Sequence, residues 1–277
     1  LIPFTKAHAC GNDFLIVDAS TVPAPLQAEA ARLLCARTTG VGSDGVEFFE
    51  WLGEREGRIK LHNADGSVAE ISGNGTRCVA AWMARESHAG AGYVLRIQTD
   101  AGWRECRVVS ARNDAYEIVS GMGVPVVRED ALLLADGSVV TGARVDTGNP
   151  HFVIFVDHPE YGINGRSWQS IGEEICTHAD FSNQTNVEFV RTIGKDEIEI
   201  RIFERGVGPT SSSGTGTCAS GSAAIALRGA SHELRVKAPG GMQRVEWADS
   251  KAEIFLTGPA VLVATGEALV YLDGGGQ

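Results

Sequence analysis

His62-Asn63-Ala64-Asp65-Gly66-Ser67-Val68-Ala69-Glu70-Ile71-Ser72-Gly73-Asn74-Gly75-Thr76-Arg77-Cys78 is answered, about half a chain later, by Phe203-Glu204-Arg205-Gly206-Val207-Gly208-Pro209-Thr210-Ser211-Ser212-Ser213-Gly214-Thr215-Gly216-Thr217-Cys218. Both stretches run from a strand-like end through a polar segment into Ser-Gly-x-Gly-Thr, and then into a run of small apolar residues. Ser72 and Ser213 lie 141 positions apart. At that offset Ile59 to Asn63 falls on Ile200 to Glu204, and Gly45-Val46-Glu47-Phe48 falls on Asn186-Val187-Glu188-Phe189. At 137, Gly11-Asn12-Asp13 meets Gly148-Asn149-Pro150. Order kept over so many pieces reads as an internal duplication of a unit of roughly 130 residues, ordinary domain size.

The duplication predicts the fold class. Periodic apolar positions at Leu26, Ala30, Leu33 and Leu34 give a helix stopping at Gly40 in a left-handed cap, and Trp168, Ile171 and Ile175 repeat it. Cys10-Gly11-Asn12-Asp13 is a tight bend between two strand segments, and Val41 to Gly45 is a Gly-rich turn into a strand. The segments after the two Ser-Gly-x-Gly motifs are apolar on nearly all sides, so other structure must surround them. Most of the rest alternates as strand: Tyr93 to Thr99, Arg104 to Ser110, Ala115 to Val119, His232 to Lys237, Met242 to Trp247, Lys251 to Thr257 and Val261 to Leu272. The expected fold is α+β: two pseudo-symmetric halves, each a curved, mostly antiparallel, barrel-like sheet wrapped around a central buried helix. Residues 1–120 with about 264–277 form the first half and 121–263 the second, with the active cleft between them.

Composition narrows the partners. A net charge of −11 without a Lys/Arg cluster argues against a nucleic-acid or anionic-membrane partner. No apolar run is long enough to span a bilayer, and the first residues carry Lys6, His8 and Asp13 where a signal core would be apolar, so a cytoplasmic location is expected. The six cysteines lack close-pair metal spacing and are too dilute for a disulfide scaffold; reduced thiols and no metal are expected.

A helix N-terminus preceded by glycines exposes unpaired N–H groups at the positive end of the helix dipole and can hold a carboxylate. The glycines also have a plain packing explanation, but two such termini at equivalent points suggest one small anionic ligand with Ser72 and Ser213 on its faces. Asn12, Asn63, Asn149, His151, Asn186, Glu204 and Arg205 join them as polar residues awkward in a core. Together they suit recognition of amino and carboxylate groups. No Gly-x-Ser-x-Gly elbow, Walker loop or His-Glu-x-x-His occurs, and none of the five lysines adjoins the Gly-rich segments.

Through these motifs, with Phe4-Thr5-Lys6, Gly40-Val41-Gly42, Asp44-Gly45, Arg77-Cys78, Gly148-Asn149-Pro150-His151 and Glu204-Arg205-Gly206, nearly the whole chain resembles the diaminopimelate epimerases. The resemblance implies a cofactor-independent isomerase of lysine and peptidoglycan precursor biosynthesis that interconverts LL- and meso-2,6-diaminopimelate. One thiolate removes the α-proton from one face and a thiol returns a proton to the other. It implies that Gly73, Asn74, Gly214 and Thr215 hold the substrate carboxylate at the helix N-termini. Asn63, Asn149, Asn186, Glu204 and Arg205 recognise the other amino acid end with Asn12 nearby, and His151 and Glu204 assist proton movement. The partner is then a small amino acid, and a homodimer is the assembly to test.

The departure lies at the centre, because Ser72 and Ser213 stand where the family has its two cysteines. A thiol needs a modest push to ionise; a serine hydroxyl is a far weaker acid and needs a base. Cys78 and Cys218 lie roughly 8 to 9 Å further along their helices and on other faces, so they do not replace the thiols; Cys10, beside the Asn12 turn, is the remaining thiol to consider. Three readings fit: an epimerase inactivated by substitution of both cysteines, a natural relative using serines for slower or different chemistry, including an epimerase or racemase of another amino acid, and a non-catalytic amino-acid-binding protein. Pro209 and Ser211-Ser212, which depart from the family around the second site, favour natural divergence.

Overall fold

A computed structural model of the chain describes residues 1–69 and 72–272; the end of the tail expected to join the first half, 273–277, lies outside the described residues. The chain forms two compact units, one of Leu1–Ser120 with the described residues from Gly258, the other of Gly121–Thr257.

In the first unit β1 (Ile2–Ala9) and β2 (Asn12–Asp18) make a hairpin. Its two turn residues, Cys10 and Gly11, have φ of 52° and 81°, the backbone that a two-residue turn between twisted strands requires. A crossover through α1 (Gln27–Cys35) brings β3 (Gly45–Gly53) parallel to β2, and β4 (Glu56–Asn63) returns antiparallel to β3. The short β5 (Val68–Ala69) pairs with β4, and α2 (Gly73–Glu86) then carries the chain to β6 (Val94–Thr99), parallel to β4. β7 (Gly102–Arg112) and β8 (Ala115–Gly121) follow as antiparallel neighbours.

The second unit repeats this order. β9 (Val126–Leu133) pairs with β10 (Val139–Asp146), which pairs with β11 (Pro150–Phe155). After α3 (Trp168–Cys176), β12 (Asn186–Gly194) runs parallel to β11 and β13 (Glu197–Glu204) antiparallel to β12. The short β14 (Gly208–Thr210), α4 (Gly214–Arg228), β15 (Glu233–Ala238) and β16 (Gly241–Glu246) complete the repeat, β15 parallel to β13. α1 and α3, β3 and β12, and β4 and β13 coincide residue for residue at the offset of the two serines.

The last strand, β17 (Phe255–Ala268), begins on β16 and then pairs with β1 and β8. In the first unit β17, β1, β2, β3, β4, β6, β7 and β8 thus close into a ring, and all of them contribute to one apolar cluster with Cys78 to Ala84 of α2. α4 has the same place in the second unit, buried from Gly214 to Ile225 among β10 to β13, β15, β16 and the start of β17. The chain is α+β, each half a mostly antiparallel sheet around one central buried helix. α4 is rich in Gly and Ser, poor helix formers, and its small residues are what allow the sheet so close: a Cβ at Gly221 would meet Val245 at 3.0 Å.

Two local expectations are corrected. α1 ends at Cys35, and Gly40 is not a left-handed cap; a side chain there would collide with the Leu33 and Leu34 carbonyls, so glycine serves close approach to the helix end. The segments expected as separate strands near Lys251 and Val261 are one strand. Asp249 folds Lys251 and Ala252 into a turn, and Pro259, lacking an N–H, falls between the pairing with β16 and that with β1.

Candidate active site

Each central helix starts at a serine of the repeated motif. Ser72 and Ser213 have extended backbones, and their Oγ atoms accept hydrogen bonds from Gly75 N–H at 3.0 Å and Gly216 N–H at 3.2 Å. They are N-caps. One turn on, Thr76 Oγ1 and Thr217 Oγ1 donate to the carbonyls of Ser72 and Ser213.

In the first half a row of side chains runs from the helix to the β1–β2 turn. Arg77, fully buried, donates to Asn74 Oδ1 at 2.5 Å; Asn74 Nδ2 donates to Asn12 Oδ1 at 3.0 Å; Asn12 Nδ2 donates to Asp44 Oδ2 at 2.7 Å. Asn12 and Asn74 are thereby brought together at the start of α2, where Gly73 is also buried. Burial raises the Asp13 carboxyl, but hydrogen bonds from Arg37 and Lys6 outweigh it and hold the group below the usual carboxylate range. Asn63 sits exposed at the end of β4, opposite Gly45, with its amide donating to Ser67 Oγ within its own turn.

The second half holds a longer chain. Glu188 Oε1 lies 2.8 Å from His151 Nδ1, His151 Nε2 lies 2.9 Å from Asn149 Oδ1, Asn149 Nδ2 donates to Thr215 Oγ1 at 3.4 Å, and Thr215 Oγ1 is 3.4 Å from Ser213 Oγ. Since Asn149 Oδ1 also accepts from Thr147 Oγ1, the network assigns a proton to His151 Nε2. One further proton is then shared between Nδ1 and Glu188. Both His151 nitrogens are engaged, so its link to Ser213 is indirect. Asn186 neighbours His151 on the adjacent strand; its Oδ1 accepts from Arg205 N–H and its Nδ2 donates to Pro150 O. The Arg205 guanidinium donates to Asn183 O, and Glu204 ends β13 opposite Gly208.

Two acids not singled out from the sequence belong to these sites. Glu47 and Glu188 occupy equivalent positions in β3 and β12, are fully buried, and press on the second glycine of each motif. A Cβ at Gly75 would fall well inside 3.0 Å of Glu47 Oε1, and one at Gly216 would stand 2.7 Å from Glu188 Oε1. Neither oxygen of Glu47 has a hydrogen-bond partner among the described residues. Burial pushes its carboxyl up to about 8, and burial likewise raises Glu188, with His151 opposing. The signal was present: an acid within an otherwise apolar strand, repeated at the offset of the two serines.

The thiols are differently placed. Cys78 and Cys218 are fully buried, and burial drives the Cys78 thiol far above its ordinary range, so it does not ionise near neutral pH. None of the six cysteines forms a disulfide. Among the described residues no group of three or more His, Cys, Asp or Glu could hold a metal ion, and no helix is long and apolar enough to cross a membrane. Each site therefore combines a helix N-terminus, a capping hydroxyl and a buried carboxyl: an anion cradle beside groups able to hold or release a proton.

The family model described as diaminopimelate epimerase matches residues 4–127 and 143–263. A diaminopimelate epimerase of Halothermothrix orenii is 36% identical over 287 residues, covering 97% of this chain and 98% of that protein. One of Parabacteroides distasonis is 33% identical over 267 residues, covering 96% and 97%. Among solved structures, a probable proline racemase from Agrobacterium radiobacter K84 superposes with a TM-score of 0.74 at 14% identity, over 99% of this chain and 94% of that one, a likeness of fold.

Proposed function

We propose that this chain, which belongs to the diaminopimelate epimerase family, interconverts LL- and meso-2,6-diaminopimelate by proton transfer at the α-carbon without a cofactor. The observation that carries the reading is the repeated helix N-terminus, Ser72-Gly73-Asn74-Gly75 and Ser213-Gly214-Thr215-Gly216, each capped by its serine. The amides of Gly73 and Asn74 and of Gly214 and Thr215 hold the carboxylate at the reacting carbon and stabilise the charge that develops there. Asn12, Asn63, Asn149, Asn186, Glu204 and Arg205 recognise the remaining amino and carboxylate groups, Arg205 suiting a carboxylate and Glu204 an ammonium. Ser72 and Ser213 exchange the α-proton, with His151 and Glu204 assisting. As serines they make the reaction slow.

The test is α-proton exchange of diaminopimelate in heavy water, followed by mass spectrometry, beside calorimetry with a panel of diamino and simple amino acids. Binding and exchange of diaminopimelate support the reading; absence of binding by every member ends it. A second reading, an amino-acid-binding protein without catalysis, is favoured by the engagement of both serine oxygens as helix caps, and tight binding without exchange selects it. The proposal also carries a cytoplasmic location, supported by six cysteines none of which forms a disulfide, and a homodimer, which sedimentation velocity tests.

A further inference from the structure

Glu47 has no evident structural reward. It projects from β3 between Ile16 of β2 and Leu61 of β4, onto the first turn of α2. An unpartnered buried carboxyl costs about 1 to 3 kcal/mol or more, and the duplicated position carries an acid as well. In both halves the carboxyl and the capping serine converge on one spot. The point that a Gly75 Cβ would occupy is 3.3 Å from Ser72 Cβ and closer still to Glu47 Oε1. The corresponding point at Gly216 is 3.3 Å from Ser213 Oγ and 2.7 Å from Glu188 Oε1. Glycine at these positions is what admits the carboxyl to the helix end.

We infer that Glu47 and Glu188 are the proton stores of Ser72 and Ser213: each acts through the serine of its own half, taking the proton that the hydroxyl must shed or returning the one it must donate. The inference rests on the diaminopimelate reading and supplies the base that a serine in place of a thiol lacks. When Ser72 acts as base, its hydroxyl proton passes to the Glu47 carboxylate while Oγ receives the α-proton. The Cα–H bond breaks, and its electron pair stays on the carbon, delocalised toward the substrate carboxylate. When Ser213 acts as acid, its O–H bond breaks toward the carbon and Oγ is reprotonated from the Glu188–His151 pair. One proton has left one store and one has entered the other; the reverse reaction restores both, and for a second turnover in the same direction Glu47 gives its proton to solvent while the Glu188–His151 pair takes one up. The motion required is a turn of the serine side chain from its capping amide toward the carboxyl. Glu47, with a pKa of about 8, populates both protonation states near neutral pH, as such a group must.

Glu47 and Glu188 are positioning residues, so the test separates proton supply from structure. Wild type, E47Q, S72C and S72C/E47Q are compared for kcat, KM and α-proton exchange with diaminopimelate in heavy water. E47Q is expected to lower kcat about 100-fold with KM within about twofold, because the site no longer titrates while its shape persists. With S72C as background the loss should shrink at least about tenfold, since a thiol ionises without a partner. Equal loss in both backgrounds, or no loss in either, overturns the inference. The Glu188→Gln and Ser213→Cys cycle tests the same relation in the second half, so a folding defect in one set leaves the other decisive. If wild type, S72C and S72C/S213C all fail to exchange the α-proton, the diaminopimelate reading itself falls; exchange by the cysteine forms with indifference to E47Q sinks only the proton store.

Discussion

His151 Nδ1 and Glu188 Oε1 meet at 2.8 Å with both side chains withdrawn from solvent. Removing the histidine leaves a buried carboxyl without its partner, a loss of about 3 to 5 kcal/mol when such a pair is broken. His151→Ala should therefore lower the urea midpoint strongly. Glu188→Gln should cost much less, since the new amide still donates to Nδ1 while Nε2–H keeps Asn149. A larger loss for Glu188→Gln than for His151→Ala would mean that the shared proton is not the bond holding the pair.

Gly75 and Gly216 offer a test of sign. At an ordinary helix position, alanine in place of glycine stabilises by about 1 kcal/mol. Here the added methyl meets Glu47 or Glu188, and overpacking of that kind costs about 1 to 3 kcal/mol. Gly75→Ala should destabilise, and Glu47→Ala should relieve part of that loss, with a coupling above about 0.5 kcal/mol in a double-mutant cycle. Additive losses would place the carboxyl away from the glycine.

The Glu47 carboxyl also predicts how stability follows pH. Its pKa rises from an ordinary 4.5 to about 8 on folding, so between those values the folded chain binds a proton that the unfolded chain does not. Stability conferred by the neutral acid is fully present below about 4.5 and declines as pH rises toward about 8, with a slope of up to about 1.4 kcal/mol per pH unit. Glu188, also raised, adds to the decline. Glu47→Gln should flatten this part of a chemical-denaturation series measured across pH. A variant as steep as wild type would show that Glu47 ionises freely in the fold.

Much of this arrangement was legible because duplication multiplies weak signals. One Ser-Gly-x-Gly is an ambiguous turn; two at equivalent points located both central helices and both capping serines. β9 and β10 were harder to see. Arg128, Glu129 and Asp130 interrupt the apolar pattern of β9, and Leu133 and Val139 are exposed, so alternation fails where a strand faces solvent. Glu47 and Glu188 stand in matching strands, yet the sequence does not mark them as site residues, because a single acid in a strand ordinarily points to water. What turns them inward is the helix packed against the sheet, which local sequence does not reveal. His151 was legible as a type and a position, but its engagement by Glu188 and Asn149 depends on strands β11 and β12 lying side by side.

The two serines place stability and rate in opposition, which a single double variant can expose. As N-caps, Ser72 and Ser213 each satisfy a backbone amide of their helix; a thiol is a poorer acceptor, so each Ser→Cys change should cost about 1 kcal/mol. Chemically the balance reverses. A thiol with a reference pKa of about 8.5 at the positive end of a helix forms thiolate near neutral pH, whereas a serine depends at every turnover on a carboxyl that must itself gain and lose a proton. S72C/S213C should therefore melt lower than wild type and yet exchange the α-proton of diaminopimelate at least about tenfold faster, with little change in binding by calorimetry. Loss of stability without gain of exchange would mean that the serines serve the helices alone. Exchange by wild type as fast as by the variant would mean that the buried carboxyls make a hydroxyl the equal of a thiol.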